Sequence, residues 1–94
     1  MNRRTTKTDL ENVVSRINLM TNSPSRPYAV DVSGNVIGQI GNHHLDGAYG
    51  GYALHRMANE GGGTTDVLQV GHQSKSELLR LMFAFIRGLE AGKQ

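Results

Sequence analysis

Cysteine and tryptophan are absent from this chain, and only two prolines interrupt it. Without cysteine there is no disulfide framework, no thiolate metal site and no cysteine nucleophile, which fits a reducing compartment. No apolar run approaches the roughly 20 residues of a membrane span. The basic start MNRRTTKTD has no apolar region of the kind a signal peptide needs. Hydrophobic residues are 37% of 94 positions, so the length supports one domain, residues 1–94, with a modest core. Residues 1–7 read as a flexible tail. Domains this small often gain stability by oligomerising, and a homo-oligomer is expected.

The charge balance also excludes a function class. The net charge of +2 is small, and its distribution is uneven. Residues 1–26 carry five cations against two carboxylates, residues 27–73 one against four, and residues 74–94 four against two. Basic ends flank a mildly acidic middle, which disfavours a surface that tracks phosphates along a nucleic acid. Neither nucleic acid nor membrane is expected as a partner.

What is present is a helix, a run of short strands and a second helix. Thr8-Asp9-Leu10-Glu11 fits a capping box. Leu10, Val13, Val14, Ile17 and Met20 then recur at helical spacing until Asn22-Ser23-Pro24. Gly34-Asn35 between two β-branched runs signals a hairpin. A two-residue turn there pairs Val32 with Ile37 and Val30 with Gln39, and puts Tyr28, Val30, Val32 and Ile37 on the core side. Asp66–Val70 suits a last strand, and Ser74-Lys75-Ser76-Glu77 a second capping box. The apolar run from Leu78 to Leu89 is wider than one buried face requires. Self-association through Leu79, Phe83 and Ile86 would use the excess. The fold class is α+β: an antiparallel sheet of four to five strands with both helices packed on one face.

The most unusual stretch is residues 41–66, GNHHLDGAYGGYALHRMANEGGGTTD. With Gly50-Gly51 as the turn, Asp46 faces His55, Leu45 faces Arg56 and Tyr49 faces Tyr52. Alternation places Leu45, Tyr49, Tyr52 and Leu54 on one face, and His44, Asp46, Ala48, Ala53, His55 and Met57 on the other. A short helix over residues 52–59, ended by the glycines, competes with the second strand; the diglycine and the tyrosines favour the hairpin.

These residues resemble a family of small accessory proteins of tailed bacteriophages. The resemblance runs from about Asp9 to Leu89. It is most specific at His44-Leu45, Ala48-Tyr49-Gly50-Gly51, Asn59-Glu60-Gly61-Gly62 and Asp66-Val67. It implies a protein acting in the cytoplasm of the infected bacterial host, against host defence. It implies no reaction.

Several chemistries suit the residue types. Tyr49 or Tyr52 can stack a flat ring, and Arg56, His44 or His55 can neutralise an anion. The amides of Gly61, Gly62 and Gly63 with the hydroxyls of Thr64 and Thr65 can cradle phosphates, although no Walker loop is present. A cross-strand aromatic pair and a plain connecting loop are the bland readings of the same residues. His44, Asp46 and His55 have ligand chemistry for a divalent ion, or for acid–base work, but in no recognised spacing. No serine stands in a nucleophile context. The sequence therefore predicts a non-enzymatic, cofactor-free protein that sequesters a small nucleotide-like signal. A protein–protein inhibitor of a host nuclease or CRISPR effector is the alternative, with Asp46, Glu60 and Asp66 mimicking phosphates. A small metal-dependent enzyme is the third reading.

Overall fold

Thr6 starts the first helix. In the computed structural model, which describes residues 4–92, α1 spans Lys7–Met20. The Asp9 amide donates to the Thr6 hydroxyl at 3.2 Å, and the Thr6 amide donates back to the Asp9 carboxylate at 2.8 Å. The box thus closes two residues before the Thr8–Glu11 frame, because the earlier threonine–acid pair adds further hydrogen-bonded residues to the helix. Thr6 and Lys7 belong to this helix start rather than to a tail. Residues 1–3, and residues 93 and 94 at the other end, lie outside the described residues. At the far end Asn22 takes a positive φ of 54°. The Ser23 amide reaches the Asn18 carbonyl at 2.8 Å and the Asn22 amide the Leu19 carbonyl at 3.2 Å, a Schellman closure.

The first hairpin differs from its expected register. Strands β1 (Tyr28–Val30) and β2 (Val36–Gly38) pair Val30 with Val36 and Tyr28 with Gly38, so the loop holds residues 31–35. Asp31 explains the longer loop. Its carboxylate accepts from the amides of Ser33 and Asn35, both at 2.9 Å, and organises five residues where Gly-Asn alone would organise two. The expected core face fails as well. Tyr28, Val30 and Val32 are 49%, 68% and 107% exposed, and only Ile37 of that set is partly buried.

Strands β3 (His43–Ala48), β4 (Gly51–Met57) and β5 (Thr64–Asp66) form a separate antiparallel sheet in that order. The single sheet of four to five strands is therefore two sheets, of two and three strands. The chain leaves one ladder at Gly38, whose amide bonds the Glu60 carbonyl, and joins the other through the Gly41 amide to Met57. Ala48 pairs with Gly51, so the turn is Tyr49-Gly50, with φ of 54° and 74°. Both central residues are left-handed, as a type I′ turn demands. Gly51 is needed elsewhere: a Cβ there would lie 2.6 Å from the Gln73 carbonyl oxygen. The expected opposition of Asp46 with His55 becomes His44 with His55 and Asp46 with Ala53; Leu45 meets Leu54 rather than Arg56, and Tyr52 meets Gly47. The shift moves each partner by two, so the alternation of faces along the two strands survives. The expected strand over 66–70 is displaced too, since β5 takes Thr64 and Thr65 and residues 67–70 are irregular.

Helix α2 spans Lys75–Ala91 with Ser74 as N-cap, accepting from the Glu77 amide at 3.3 Å. The Glu77 carboxylate turns to Arg80 and does not complete a box. Leu10, Val13, Val14 and Ile17 of α1, Leu54 of β4, and Leu78, Met82 and Ile86 of α2 form one buried cluster. Ile86 is 2% exposed, so it belongs to this core and is not available for self-association. Among the described residues, no helix is long and apolar enough to cross a membrane.

Asn18 ties α1 to the edge of the larger sheet. Its side-chain amide donates to the His43 carbonyl at 3.0 Å, and its oxygen accepts from the His43 amide at 2.8 Å. Both residues are buried. One side chain thus exchanges two hydrogen bonds with an edge strand, as a neighbouring strand would.

Candidate functional site

One face of the β3–β4 pair collects His44, Asp46 and His55, as alternation requires. The structure adds a residue that the sequence pattern did not offer: His72. After β5 the chain runs back along β4, and the amide and carbonyl of Gln73 both bond Tyr52, at 2.8 and 2.9 Å. Asp66 shapes this return by accepting from the amides of Gln69 and Gly71 at 3.1 and 2.8 Å. His72 is thereby placed with Nε2 at 2.7 Å from Asp46 Oδ2. Its side chain is 18% exposed and that of Asp46 is 44%. The pair is too well solvated to add more than about 1 kcal/mol of stability; its consequence is orientation.

The rings form a row. His44 and His55 have centroids 6.2 Å apart, and His55 and His72 are again 6.2 Å apart. Tyr49, 95% exposed at the turn, stands edge-on to His72 at 5.4 Å. Second partners orient two of the rings. His44 Nδ1 lies 3.0 Å from the oxygen of the buried Asn42 side chain, and so donates to it. His55 Nδ1 lies 3.3 Å from the Thr64 hydroxyl. His72 Nε2–H donates to Asp46, which leaves Nδ1 with the lone pair.

The remaining expected ligand residues are not gathered here. Tyr52 and Arg56 alternate onto the opposite face, where Tyr52 packs against the core cluster and Arg56 is exposed. Thr65 pairs with Arg56 in the ladder and follows it. Two of the three amides of the triglycine segment are directed at its own loop rather than at a ligand. The Gly63 amide donates to the Asn59 side chain at 2.9 Å and the Gly62 amide to the Asn59 carbonyl at 3.3 Å. A Cβ at Gly63 would sit 2.4 Å from the Asn59 side chain, so close packing accounts for that glycine. Among the described residues no group of three or more His, Asp or Glu is placed to hold a metal ion.

Burial dominates the electrostatics of two histidines. It pushes the His43 pKa below the ordinary 6.5, helped by the charges of Arg56 and His44. For His44, burial and then the charge of His55 outweigh the opposing effects of Asp46 and the Asn42 hydrogen bond. The hydrogen bond from His72 is the main reason that the Asp46 carboxyl lies below its ordinary 3.8. The sign follows from proton counting. Below pH 6.5 the unfolded chain protonates His43 and His44 before the folded one does, so stability falls as the pH drops through that window. Asp46 contributes stability above its unfolded value, which is lost as the pH falls through its lower folded one. The urea midpoint should be level between about pH 7 and 8 and decline from about 6.5 to 5. His43→Gln should lose part of that slope whatever it does to the plateau. A midpoint independent of pH from about 5 to 7 would contradict this assignment.

Compared with known proteins, the chain matches no family model, no curated protein and no solved structure.

Proposed function

We propose that this chain is a phage accessory protein that binds and sequesters a small nucleotide-like signal in the cytoplasm of the infected bacterium, countering host defence. The resemblance to phage accessory proteins supplies the setting. The ligand chemistry rests on one observation: an exposed Tyr49 ring beside the His72, His55 and His44 row and the Thr64 hydroxyl. A nucleotide needs a flat surface for its base and donors for its phosphates. Tyr49 supplies the first. His55 Nε2 and the Thr64 hydroxyl supply the second, the N–H groups of His44 and His72 being engaged by Asn42 and Asp46. Relative to the sequence expectation, Tyr52, Arg56, Thr65 and the amides of Gly62 and Gly63 leave the site and His72 joins it.

A thermal-shift screen of cyclic dinucleotides and ADP-ribose derivatives should find a stabilising ligand by mass action. Tyr49→Ala should weaken that ligand about tenfold or more, the loss of one stacked base. It should change stability by no more than about 0.5 kcal/mol, since the ring is exposed. Should the variant melt early, Tyr49 is structural and not a ligand platform. A second reading, an inhibitor that covers a host nuclease or CRISPR effector, is favoured by the apolar hairpin, where Val30, Val32 and Val36 all stand exposed. Phosphate mimicry is weaker support for it, because Asp46 and Asp66 are engaged internally. No nucleotide response together with a co-purifying host effector would replace the first reading by the second.

The proposal includes self-association, now through Leu79 and Phe83. These line a groove of about 350 Å³ with Asp9, Asn12 and Val13, and Phe83 is 40% exposed. Sedimentation at micromolar concentration should show a species larger than 10.2 kDa; a monomer alone would refute it.

A further inference from the structure

We infer that the histidine face cleaves the ligand it binds: His72 and His55 form an acid–base pair for transesterification of a phosphodiester that carries a neighbouring 2′-hydroxyl. The inference rests on the nucleotide-binding reading and goes beyond it. No serine or metal stands among the reasons, because in this chemistry the substrate provides the nucleophile. The sequence expectation of a non-enzymatic protein weighed His44, Asp46 and His55 without His72, and so without the histidine that bonds the Asp46 carboxylate.

Three observations carry it. The Asp46–His72 contact of 2.7 Å fixes the His72 ring with Nε2–H toward the carboxylate and leaves Nδ1 free to accept a proton. The Thr64 hydroxyl at 3.3 Å engages His55 Nδ1 and leaves Nε2 as the second working nitrogen. The ring centroids are 6.2 Å apart, a spacing that one phosphoryl group can bridge. Its entering and leaving oxygens could then each meet a ring nitrogen at about 2.6–3.2 Å. Tyr49, 5.4 Å from His72, would seat a base next to that phosphate.

The step balances without a co-reactant. His72 Nδ1 takes the 2′-hydroxyl proton while the 2′-oxygen bonds to phosphorus. The bond from phosphorus to the 5′-oxygen breaks, and that oxygen takes the proton from His55 Nε2. The products are a 2′,3′-cyclic phosphate and a free 5′-hydroxyl, and solvent returns the proton from His72 to His55. Asp46 is a positioning residue. His44, Asp46, Asp66 and Tyr49 are the titratable groups facing the pair, with Asp66 opposite His55 in the ladder and bound to the amides of its own loop.

The test incubates the full chain with 3′–5′-linked cyclic di-adenylate in chelator, beside its 2′-deoxy counterpart. Binding is followed by thermal shift and products by chromatography. The expected result is a cyclic-phosphate product from the ribose probe only, with a bell-shaped pH profile, since one imidazole must be neutral and the other protonated. His72→Asn and His55→Asn should each slow turnover about 10²–10⁴-fold, and Asp46→Asn should slow it less while displacing the limb of the profile that belongs to His72. Both probes bound and both left intact would overturn cleavage and leave the binding reading standing. Neither probe bound nor cleaved overturns cleavage, and the binding reading falls with it when the full screen of cyclic dinucleotides and ADP-ribose derivatives is also blank. Equal turnover of the deoxy probe, or turnover lost to chelator, overturns the pair mechanism, and does so without relying on any variant that fails to fold.

Discussion

Asn18→Leu should lower stability by about 2–5 kcal/mol, because it strands two buried backbone groups at once. The leucine is similar in size and suits a helix well, so α1 itself should persist. What disappears is the partner for both the amide and the carbonyl of His43, which the asparagine meets at 2.8 and 3.0 Å. A donor or acceptor buried without a partner costs roughly 1–3 kcal/mol. His43 is only 5% exposed, and water cannot easily replace the lost contacts. Whole domains are stable by only about 5–15 kcal/mol, so the melting temperature should fall by roughly 10–30 °C. Ser15→Leu, at an exposed position of the same helix, is the control. Equal melting of the two variants would dismiss the clamp.

Leu54→Ala is expected to cost about 2–5 kcal/mol by leaving a cavity. Leu54 is fully buried on the middle strand of the larger sheet, and it joins the stripes of α1 and α2 in one cluster. Val30→Ala provides the contrast. That valine is 68% exposed on the first hairpin, and its truncation should stay within about 0.5 kcal/mol. Urea midpoints of the two variants would separate sharply if the core lies where the structure places it. Similar losses would mean that the hairpin packs as a core element in solution.

The helices were legible because their signals are local. Threonine–acid spacing and the apolar stripes of α1 and α2 need no partner to be read, though the Thr6 and Thr8 frames look alike in sequence. Alternation in β3 and β4 was legible for the same reason. Register was not. Gly50-Gly51 looks like the better turn, because tyrosine resists the positive φ that it adopts at position 49. The second glycine is claimed instead by the close approach of the Gln73 backbone, a contact made by a segment 22 residues away. His72 was missed on similar grounds: its place depends on the Asp66 carboxylate collecting two loop amides. An aspartate followed closely by glycine was the only local hint. Asn18 carried no hint at all, being one polar residue on an otherwise apolar stripe. The triglycine run shares its composition with anion-binding loops, while two of its amides serve Asn59.

The loop of residues 31–35 marks where the chain tolerates extra length. The first hairpin supplies no residue to the buried cluster, and open space surrounds Gly34. Each doubling of a flexible loop costs only about 0.6 kcal/mol in closure entropy. A peptide tag or a small guest domain spliced between Ser33 and Gly34 would therefore burden the Asp31 turn while leaving the core and the histidine row untouched. That makes the hairpin tip the natural handle for attaching the protein to a surface.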